Sequence, residues 1–468
     1  MNEEIRKIPE AEMALQREYM RQFAALSERP HTYHIVTYGC QMNAHDSEKL
    51  AGILEAMGMT AAKEREEADF VLHNTCCIRD NAERKALGNV TWLKEIKKKR
   101  PEMLIGVCGC MVQEEGMAEK LLRQYPFVDV AFGTGNIHRL PELLLRAVET
   151  SRRVVAVPKE QSTLIEGLPV RRESDIQAYV TVMYGCNNFC SYCIVPYVRG
   201  RERSRSAMDI LHDVEGLVKS DTKEIMLLGQ NVNSYGNDLE DGLSFAKLLH
   251  EIEKTGIPRI RFMTSHPKDL SDELIEEIAR NKAVLKHFHL PVQSGSNAVL
   301  QAMNRRYTRE KYLDRVHALR QAVPDIGITT DLIVGFPGET DKDFEDTLAL
   351  VDEVSYDSAF TFIYSPRVGT VAAKMPNQIP ADVSTERIEK LIALQEKKTA
   401  EVFASMLGKT EQVLVTGASK RDAAMLTGKG GRNISINFHG AESDIGQIVP
   451  ITITSAGKTT LRGKKEGE

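Results

Sequence analysis

The chain has 468 residues, of which 42% are apolar and 27% are charged. This is the composition of a folded globular protein, and it excludes disordered and collagen-like chains. At roughly 100–200 residues per domain, the length predicts about three domains. The net charge of −5 means that a nucleic-acid site would have to be a local basic patch. Eight cysteines are too few for a disulfide scaffold, and none lies beyond Cys193.

The first 31 residues are charged and helix-like, which predicts an N-terminal helical extension. They contain no apolar signal sequence. No stretch in the chain approaches the roughly 18 apolar residues that a membrane helix needs. We therefore expect a cytoplasmic protein with no membrane partner, in which cysteines stay reduced and grouped cysteines indicate metal binding or catalysis.

Residues 32–150 alternate short apolar runs with amphipathic helical patterns. The runs are HIVTY (34–38), FVLHNT (70–75), LIGVCG (104–109) and VDVAF (128–132). This βα order predicts an α/β domain built on a parallel sheet. Residues 151–175 are polar and irregular, which predicts a linker.

The βα alternation restarts and fills residues 176–407. Six apolar runs begin at residues 177, 223, 259, 285, 327 and 357, and a long helical segment closes the region at 384–407. Six βα units predict a partial (βα)6 barrel. Residues 408–468 carry short β-rich runs and Gly-rich turns, which predict a small antiparallel β-barrel. Nine Lys/Arg against six Asp/Glu there favour RNA binding, with a structural cap as the alternative.

Three cysteines lie within eight residues, directly after the first strand of the six-unit region. They are Cys186, Cys190 and Cys193, the loop triad, with the spacing C-x3-C-x2-C. Iron–sulfur clusters take cysteine thiolates as ligands, and three ligands leave one iron of a [4Fe–4S] cluster open. Structural zinc, the alternative, needs four closed ligands, and no fourth Cys or His has a suitable spacing here.

Three further cysteines each follow a predicted strand of the N-terminal domain. Cys40, Cys76 and Cys110, the N-terminal triad, end the runs HIVTYGC, FVLHNTC and LIGVCGC. The carboxyl ends of neighbouring parallel strands lie side by side, so these thiols should converge on a second three-cysteine site. The alternative is three buried apolar cysteines. Cys77 and Cys108 are expected to be small packing residues.

The cysteine loop and its position resemble the radical SAM superfamily. YGCQMNAHDSE, NTCCIRDNAERK and GVCGCMVQ resemble the N-terminal motifs of its methylthiotransferase family, and residues 408–468 look like that family's RNA-binding TRAM domain. The resemblance implies two [4Fe–4S] clusters, an auxiliary one on the N-terminal triad and the radical SAM one on the loop triad. It also implies S-adenosylmethionine (SAM) as cofactor. No catalytic residue beyond the cluster ligands is predicted.

LLGQNVNSYG, PVQSGS and DLIVGFPGET look most like the branch that adds a 2-methylthio group to N6-dimethylallyladenosine beside the tRNA anticodon. In that reaction one SAM methylates a sulfur on the auxiliary cluster, and a second gives the 5′-deoxyadenosyl radical that activates the C2–H bond. The implied partners are the anticodon stem-loop, an electron donor such as flavodoxin or ferredoxin, and a sulfur or iron–sulfur supply protein. The alternatives are threonylcarbamoyl adenosine or a ribosomal aspartate as substrate, or an iron–sulfur RNA-binding redox sensor.

Two sets of side chains are candidates for ligand contact. Residues near predicted strand ends, where barrel ligands bind, are candidates for SAM contact: Tyr192, Gly229, Gln230, Asn231, Ser265, His266, Gln293, Ser294, Asp331 and Gly335. The alternating arginines of RGRERSR are candidates for RNA phosphate contact: Arg199, Arg201, Arg203 and Arg205. A solvated or internally paired charge run is the alternative for these arginines.

Overall fold

A computed structural model describes residues 6–77, 80–158 and 163–466. The chain divides into two compact units. Unit 1 comprises Met1–Glu173, Met183–Phe189 and Cys193–Arg205, and unit 2 comprises Ser174–Val182, Cys190–Tyr192 and Ser206–Glu468. Among the described residues, no helix has the length and apolarity needed to span a membrane.

Unit 1 is built on a six-stranded parallel sheet. Its strands and those of its small ribbons are β1 Arg6–Lys7, β2 Thr32–Thr37, β3 Thr60–Ala61, β4 Phe70–Thr75, β5 Leu104–Gly109, β6 Val130–Phe132, β7 Val154–Ala156, β8 Thr163–Leu164, β10 Met183–Tyr184 and β11 Arg203–Ser204. Its helices are α1 Glu10–Ala25, α2 Gln41–Ala56, α3 Asp80–Lys99, α4 Met117–Gln124, α5 Leu140–Thr150 and α6 Val195–Arg199. β9 belongs to unit 2.

The sheet order is β3-β2-β4-β5-β6-β7, which confirms the predicted parallel α/β domain. Every residue of β4 is buried, as expected for a central strand covered on both faces. Residues 151–175, predicted to be an irregular linker, contain a strand instead. The β-branched pair Val154 and Val155 lies in β7, which pairs with β6 at the edge of the sheet.

Unit 2 contains the six predicted βα strands. They are β9 Gln177–Thr181, β12 Glu224–Leu228, β13 Arg259–Phe262, β14 His287–His289, β15 Gly327–Val334 and β16 Ser358–Ile363. Its helices are α7 Ala207–Lys219, α8 Phe245–Lys254, α9 Asp272–Arg280, α10 Asn297–Ala302, α11 Arg309–Ala322, α12 Asp341–Val354 and α13 Ala381–Ala404. Six of these helices begin at a Ser or Thr whose hydroxyl accepts a backbone N–H of the first turn, which explains where they start.

The six strands form two parallel sheets, β9-β12-β13 and β14-β15-β16. A parallel bridge between Ile260 and Val284 joins them, so they make the predicted partial barrel. The predicted first strand, 177–185, is divided at Val182. Its second part, β10, pairs antiparallel with β11 in unit 1.

The end of the chain is a closed five-stranded barrel. Its strands are β17 Thr410–Ala418, β18 Leu426–Lys429, β19 Ser435–Phe438, β20 Ile448–Ala456 and β21 Leu461–Lys465. The order is β17-β18-β19-β21-β20, and the β19–β21 pair is parallel while the other pairs are antiparallel. The predicted small barrel is confirmed, with this one parallel pair as the difference.

Two arginines, Arg259 and Arg432, connect this C-terminal barrel to the partial barrel within unit 2. Arg259 donates to the Glu224 carboxylate at 2.9 Å and to the carbonyl of Lys429 at 2.8 Å. Arg432 makes a two-point ion pair with Asp357, at 2.8 and 2.6 Å. Asp357 is only 3% exposed, so its charge depends on Arg432.

We expect Arg432→Ala to lower the free energy of unfolding by about 3 kcal/mol, because it leaves the Asp357 carboxylate buried without its partner. Urea unfolding followed by circular dichroism measures this. Lys420→Ala, an exposed position of the same barrel, is the control and should change stability by less than about 0.5 kcal/mol. If both variants lowered the free energy of unfolding equally, the Arg432–Asp357 ion pair would not stabilise the protein as proposed.

Candidate functional site

The N-terminal triad lies at the carboxyl ends of three strands. Cys76 directly follows β4, Cys110 directly follows β5, and Cys40 lies three residues beyond β2, at the start of α2. β2, β4 and β5 are neighbours in the sheet, which confirms the predicted convergence of their ends. Cys76 and Cys110 are buried, whereas Cys40 is exposed.

Two glycines allow the strand ends to come this close. Gly39 has φ +99°, and a Cβ there would lie 2.3 Å from Cys76 Cβ and 2.5 Å from Cys76 Sγ. Gly109 has φ +97°, and a Cβ there would lie 2.4 Å from the carbonyl oxygen of Thr75. Both positions therefore need glycine for its backbone conformation and for space.

Arg199 supplies positive charge beside the triad. Its Nε donates to Cys110 Sγ at 3.1 Å, its Nη2 donates to Asn43 Oδ1 at 2.6 Å, and its Nη1 lies 2.9 Å from Asp46 Oδ2. Arg199 is 4% exposed and also interacts electrostatically with Cys40. A buried cation of this kind favours thiolates, which are the form that binds metal.

Cys77 and Cys108, the two cysteines outside both triads, have different surroundings. A hydrogen bond from the Cys77 thiol, and then the charge of Arg199, lower the pKa of Cys110. Cys77 is thus buried next to a triad member, a contact that the sequence did not predict. Cys108 packs in the opposite apolar core with Phe70 and Leu72, as predicted.

The donor set of the N-terminal triad fits an iron–sulfur cluster. Three thiols and a cation suit an anionic cluster with cysteine ligands. A single tetrahedral zinc would hold its sulfurs within about 4 Å of one another, since each Zn–S bond is about 2.3 Å. Among the described residues, the group whose Cys, His or carboxylate ligand atoms come within 4.8 Å of one another is His250, Glu253 and Glu277, and neither cysteine triad does so.

In the loop triad, Cys186 and Cys190 are buried and Cys193 is half-buried. Within unit 2, Arg305 Nη1 donates to Cys190 Sγ at 3.3 Å and to the Tyr192 hydroxyl at 3.4 Å. Tyr192 packs against Met303, Phe336 and other apolar residues. Sequence reasoning missed Arg305, because it lies 115 residues from Cys190 and no local spacing signals the contact.

Several polar atoms at the strand ends of unit 2 are buried without a hydrogen-bond partner among the described residues. They are Gln230 Oε1 beyond β12, and Ser265 Oγ and His266 Nε2 beyond β13. Burial, followed by the charge of Arg305, lowers the pKa of His266, so this imidazole stays neutral. Unsatisfied buried groups are costly, and these fit a polar ligand such as SAM at this edge.

The other SAM candidates have internal partners. Asn231 donates to Asp269 at 2.8 Å, and the fully buried Ser294 hydroxyl lies 3.2 Å from the Thr347 hydroxyl. The Gln293 backbone pairs with the Asp331 carbonyl at 2.9 Å. Gly229 and Gly335 directly follow β12 and β15. SAM contact by all of these residues stays a prediction.

Three of the four arginines in the RGRERSR run are buried inside the protein. Arg199, Arg203 and Arg205 are each at most 6% exposed. Arg205 forms a two-point ion pair with Glu166, at 2.7 Å for both contacts. For these three the alternative of internal pairing describes the structure, because burial keeps their guanidinium groups from phosphate. Arg201 is exposed over the Phe189 ring, 4.3 Å from its centroid, and its RNA contact stays a prediction.

Three family descriptions match the chain. Residues 180–351 match the Radical SAM superfamily, residues 32–133 match Uncharacterized protein family UPF0004, and residues 404–465 match the TRAM domain. A tRNA-2-methylthio-N(6)-dimethylallyladenosine synthase of Alkaliphilus oremlandii is 52% identical over 92% of each chain. One of Thermoanaerobacter pseudethanolicus is 50% identical over 98% of each chain.

The chain belongs to the tRNA-2-methylthio-N(6)-dimethylallyladenosine synthase family. It is a radical SAM enzyme, and its superfamily uses an iron–sulfur cluster and SAM. The radical SAM methyltransferase TsrM of Kitasatospora setae, solved with cobalamin and a [4Fe-4S] cluster, is similar with a TM-score of 0.53. That match covers 73% of this chain and 74% of TsrM at 14% identity, so it supports the fold alone.

We propose that the N-terminal triad holds a [4Fe–4S] cluster, and we therefore expect Gly39→Ala to bind about four fewer irons per chain, because the new methyl group would displace Cys76. Iron analysis and the visible spectrum after anaerobic reconstitution measure this loss. Gly116→Ala is the matched control, since Gly116 also has positive φ (+77°) but a Cβ there meets nothing within 4 Å. Full iron content in Gly39→Ala would show that the close approach to Cys76 is not required.

Proposed function

We propose that this enzyme converts N6-dimethylallyladenosine beside the anticodon of tRNA into its 2-methylthio derivative. Curated relatives about 50% identical over most of the chain carry the name of this activity. The observation that carries the proposal is the second set of cysteines. A radical SAM enzyme that did not transfer sulfur would leave the N-terminal triad and its buried Arg199 unexplained.

We assign one [4Fe–4S] cluster to each triad. When bound, the clusters and SAM supply the methylated sulfur and the radical that activates the C2–H bond, chemistry that side chains alone do not provide. Arg199 holds the sulfur of Cys110 and offsets thiolate charge in unit 1. In unit 2, Gln230, Ser265 and His266 offer unsatisfied polar atoms to SAM.

A cleft in unit 2 supports RNA as the substrate. Its volume is about 800 Å³, and it lies between β16, α13 and the C-terminal barrel. Lys397 and Lys458 line it with positive charge, which suits phosphate, while Arg432 in the lining is paired with Asp357 and Glu396 adds one negative charge. Phe360 also lines it and is 47% exposed, so an unstacked base can pack on its ring.

The reaction needs partners besides tRNA. One-electron reduction requires an external donor, for which flavodoxin or ferredoxin is our expectation. Each turnover removes sulfur, so we also expect a sulfur or iron–sulfur supply protein. Because mature tRNA is used in the cytoplasm, we place the enzyme there.

Nucleoside mass analysis tests the substrate. tRNA from a strain lacking this chain should lose the 2-methylthio group from dimethylallyladenosine, and the chain supplied in trans should restore it. The Cys110→Ala variant should fail to restore it, because it lacks one ligand of the N-terminal triad. Loss of a methylthio group from threonylcarbamoyl adenosine or from a ribosomal aspartate, with this nucleoside unchanged, would favour those substrates instead.

Iron and sulfide analysis tests the number of clusters. The reconstituted chain should hold about eight irons, and Cys186→Ala/Cys190→Ala/Cys193→Ala should hold about four, because the N-terminal triad is intact. Cys108→Ala is the matched control, since Cys108 packs in an apolar core, and it should keep all eight or so. About four irons in the fully loaded unmutated chain would rule out the auxiliary cluster.

A further inference from the structure

One cysteine of each triad accepts a hydrogen bond from a buried guanidinium. In unit 1, Arg199 donates to Cys110 at 3.1 Å, and in unit 2, Arg305 donates to Cys190 at 3.3 Å. Both arginines are 4% exposed. Hydrogen bonds to cysteine sulfur and nearby charge are among the factors that set the reduction potential of an iron–sulfur cluster.

The two arginines differ in what neutralises their charge. Arg199 Nη1 lies 2.9 Å from the Asp46 carboxylate, which is itself 2% exposed. The other partners of Arg305 are neutral. They are the Pro291 carbonyl at 2.7 Å and the hydroxyls of Tyr307 at 3.0 Å and Tyr192 at 3.4 Å. Among the described residues, no carboxylate lies within 4 Å of the Arg305 guanidinium.

This difference has an electrostatic consequence. A buried charge acts through a low effective dielectric and is weakly screened. A cluster gains one negative charge when it is reduced, so an unneutralised cation at its ligand favours the reduced state. The same cation paired with a carboxylate has a smaller net effect.

We propose that Arg305 is a positioning residue that raises the reduction potential of the loop-triad cluster, while Arg199, neutralised by Asp46, shifts the auxiliary cluster less. The inference rests on the proposed function, because it takes both triads as cluster ligands. One electron from the external donor is transferred, and no bond is made or broken in this step. The charge difference directs that electron to the cluster whose reduction cleaves SAM.

The test is a redox titration monitored by electron paramagnetic resonance, without SAM or tRNA. The full-length Cys40→Ala/Cys76→Ala/Cys110→Ala variant isolates the loop-triad cluster. When Arg305→Gln is added to this variant, the equilibrium constant for reduction of the cluster should fall at least tenfold. For one electron, this corresponds to a reduction potential about 59 mV more negative. Arg305→Lys keeps the positive charge, so its reduction potential should stay closer to that of the protein with Arg305 unchanged.

Arg306→Gln is the matched control, because Arg306 is the next residue and is exposed. With Arg306→Gln added, the loop-triad cluster should have the same reduction potential as in the Cys40→Ala/Cys76→Ala/Cys110→Ala variant alone. The Cys186→Ala/Cys190→Ala/Cys193→Ala variant isolates the auxiliary cluster. In that variant, Arg199→Gln/Asp46→Asn should shift the reduction potential of the auxiliary cluster by less than about 59 mV. The double substitution avoids leaving Asp46 as an unpaired buried charge.

Three results would overturn the proposal. Arg305→Gln could match Arg306→Gln in potential. Both Arg305→Gln and Arg305→Lys could fail to retain the cluster, which would make Arg305 structural. Alternatively, Arg305→Gln could weaken SAM binding while the SAM-free potential stays unchanged, which would make Arg305 a SAM ligand. A wrong nucleoside substrate would leave all these potentials unaffected, so the two proposals fail separately.

Discussion

The parallel pairing of β2, β4 and β5 is the constraint on which the N-terminal site depends. The register aligns Thr37 with Asn74 and Thr75 with Gly109, so the three chains leave the sheet at one edge. Side chains alternate along a strand, and a shift of one residue would exchange its two faces. Gly109, with φ +97°, turns the chain out of β5, so Cys110 lies in the core that contains Cys77 while Cys108 packs in the opposite core.

Bringing thiols together at one edge creates steric and electrostatic problems that other residues solve. Gly39 leaves room for Cys76, since any side chain would overlap it. Arg199 offsets the charge of the sulfurs, and Asn43 fixes the guanidinium while donating to the carbonyl oxygens of Tyr38 and Thr75. The amide of Asn43 thereby links the loops after β2 and β4 to the charge that stabilises the site.

The sequence predicts features that follow from strand order and fails where long-range partners decide. FVLHNT and LIGVCG coincide with β4 and β5, and the convergence of the N-terminal triad followed from topology alone. Sequence alone does not distinguish the two interpretations of the arginine run, because alternating arginines form the same pattern whether they face solvent or a buried carboxylate such as Asp46. Arg305 gave no signal, since its contact depends on the folding of the partial barrel. The parallel β19–β21 pair likewise depends on barrel closure.

The two triads also differ in how far each site can balance its own charge. Removing a charge from water costs several kcal/mol unless a partner compensates it. In unit 1, Asp46 compensates Arg199 before any ligand is present. In unit 2, a carbonyl and two hydroxyls solvate Arg305 but carry no full charge. We propose a cluster on the loop triad, and an anionic cluster that includes the Cys190 sulfur would balance the charge of Arg305. Arg199 thus has a buried carboxylate partner, whereas the hydrogen-bond partners of Arg305 are a carbonyl, two hydroxyls and the Cys190 sulfur.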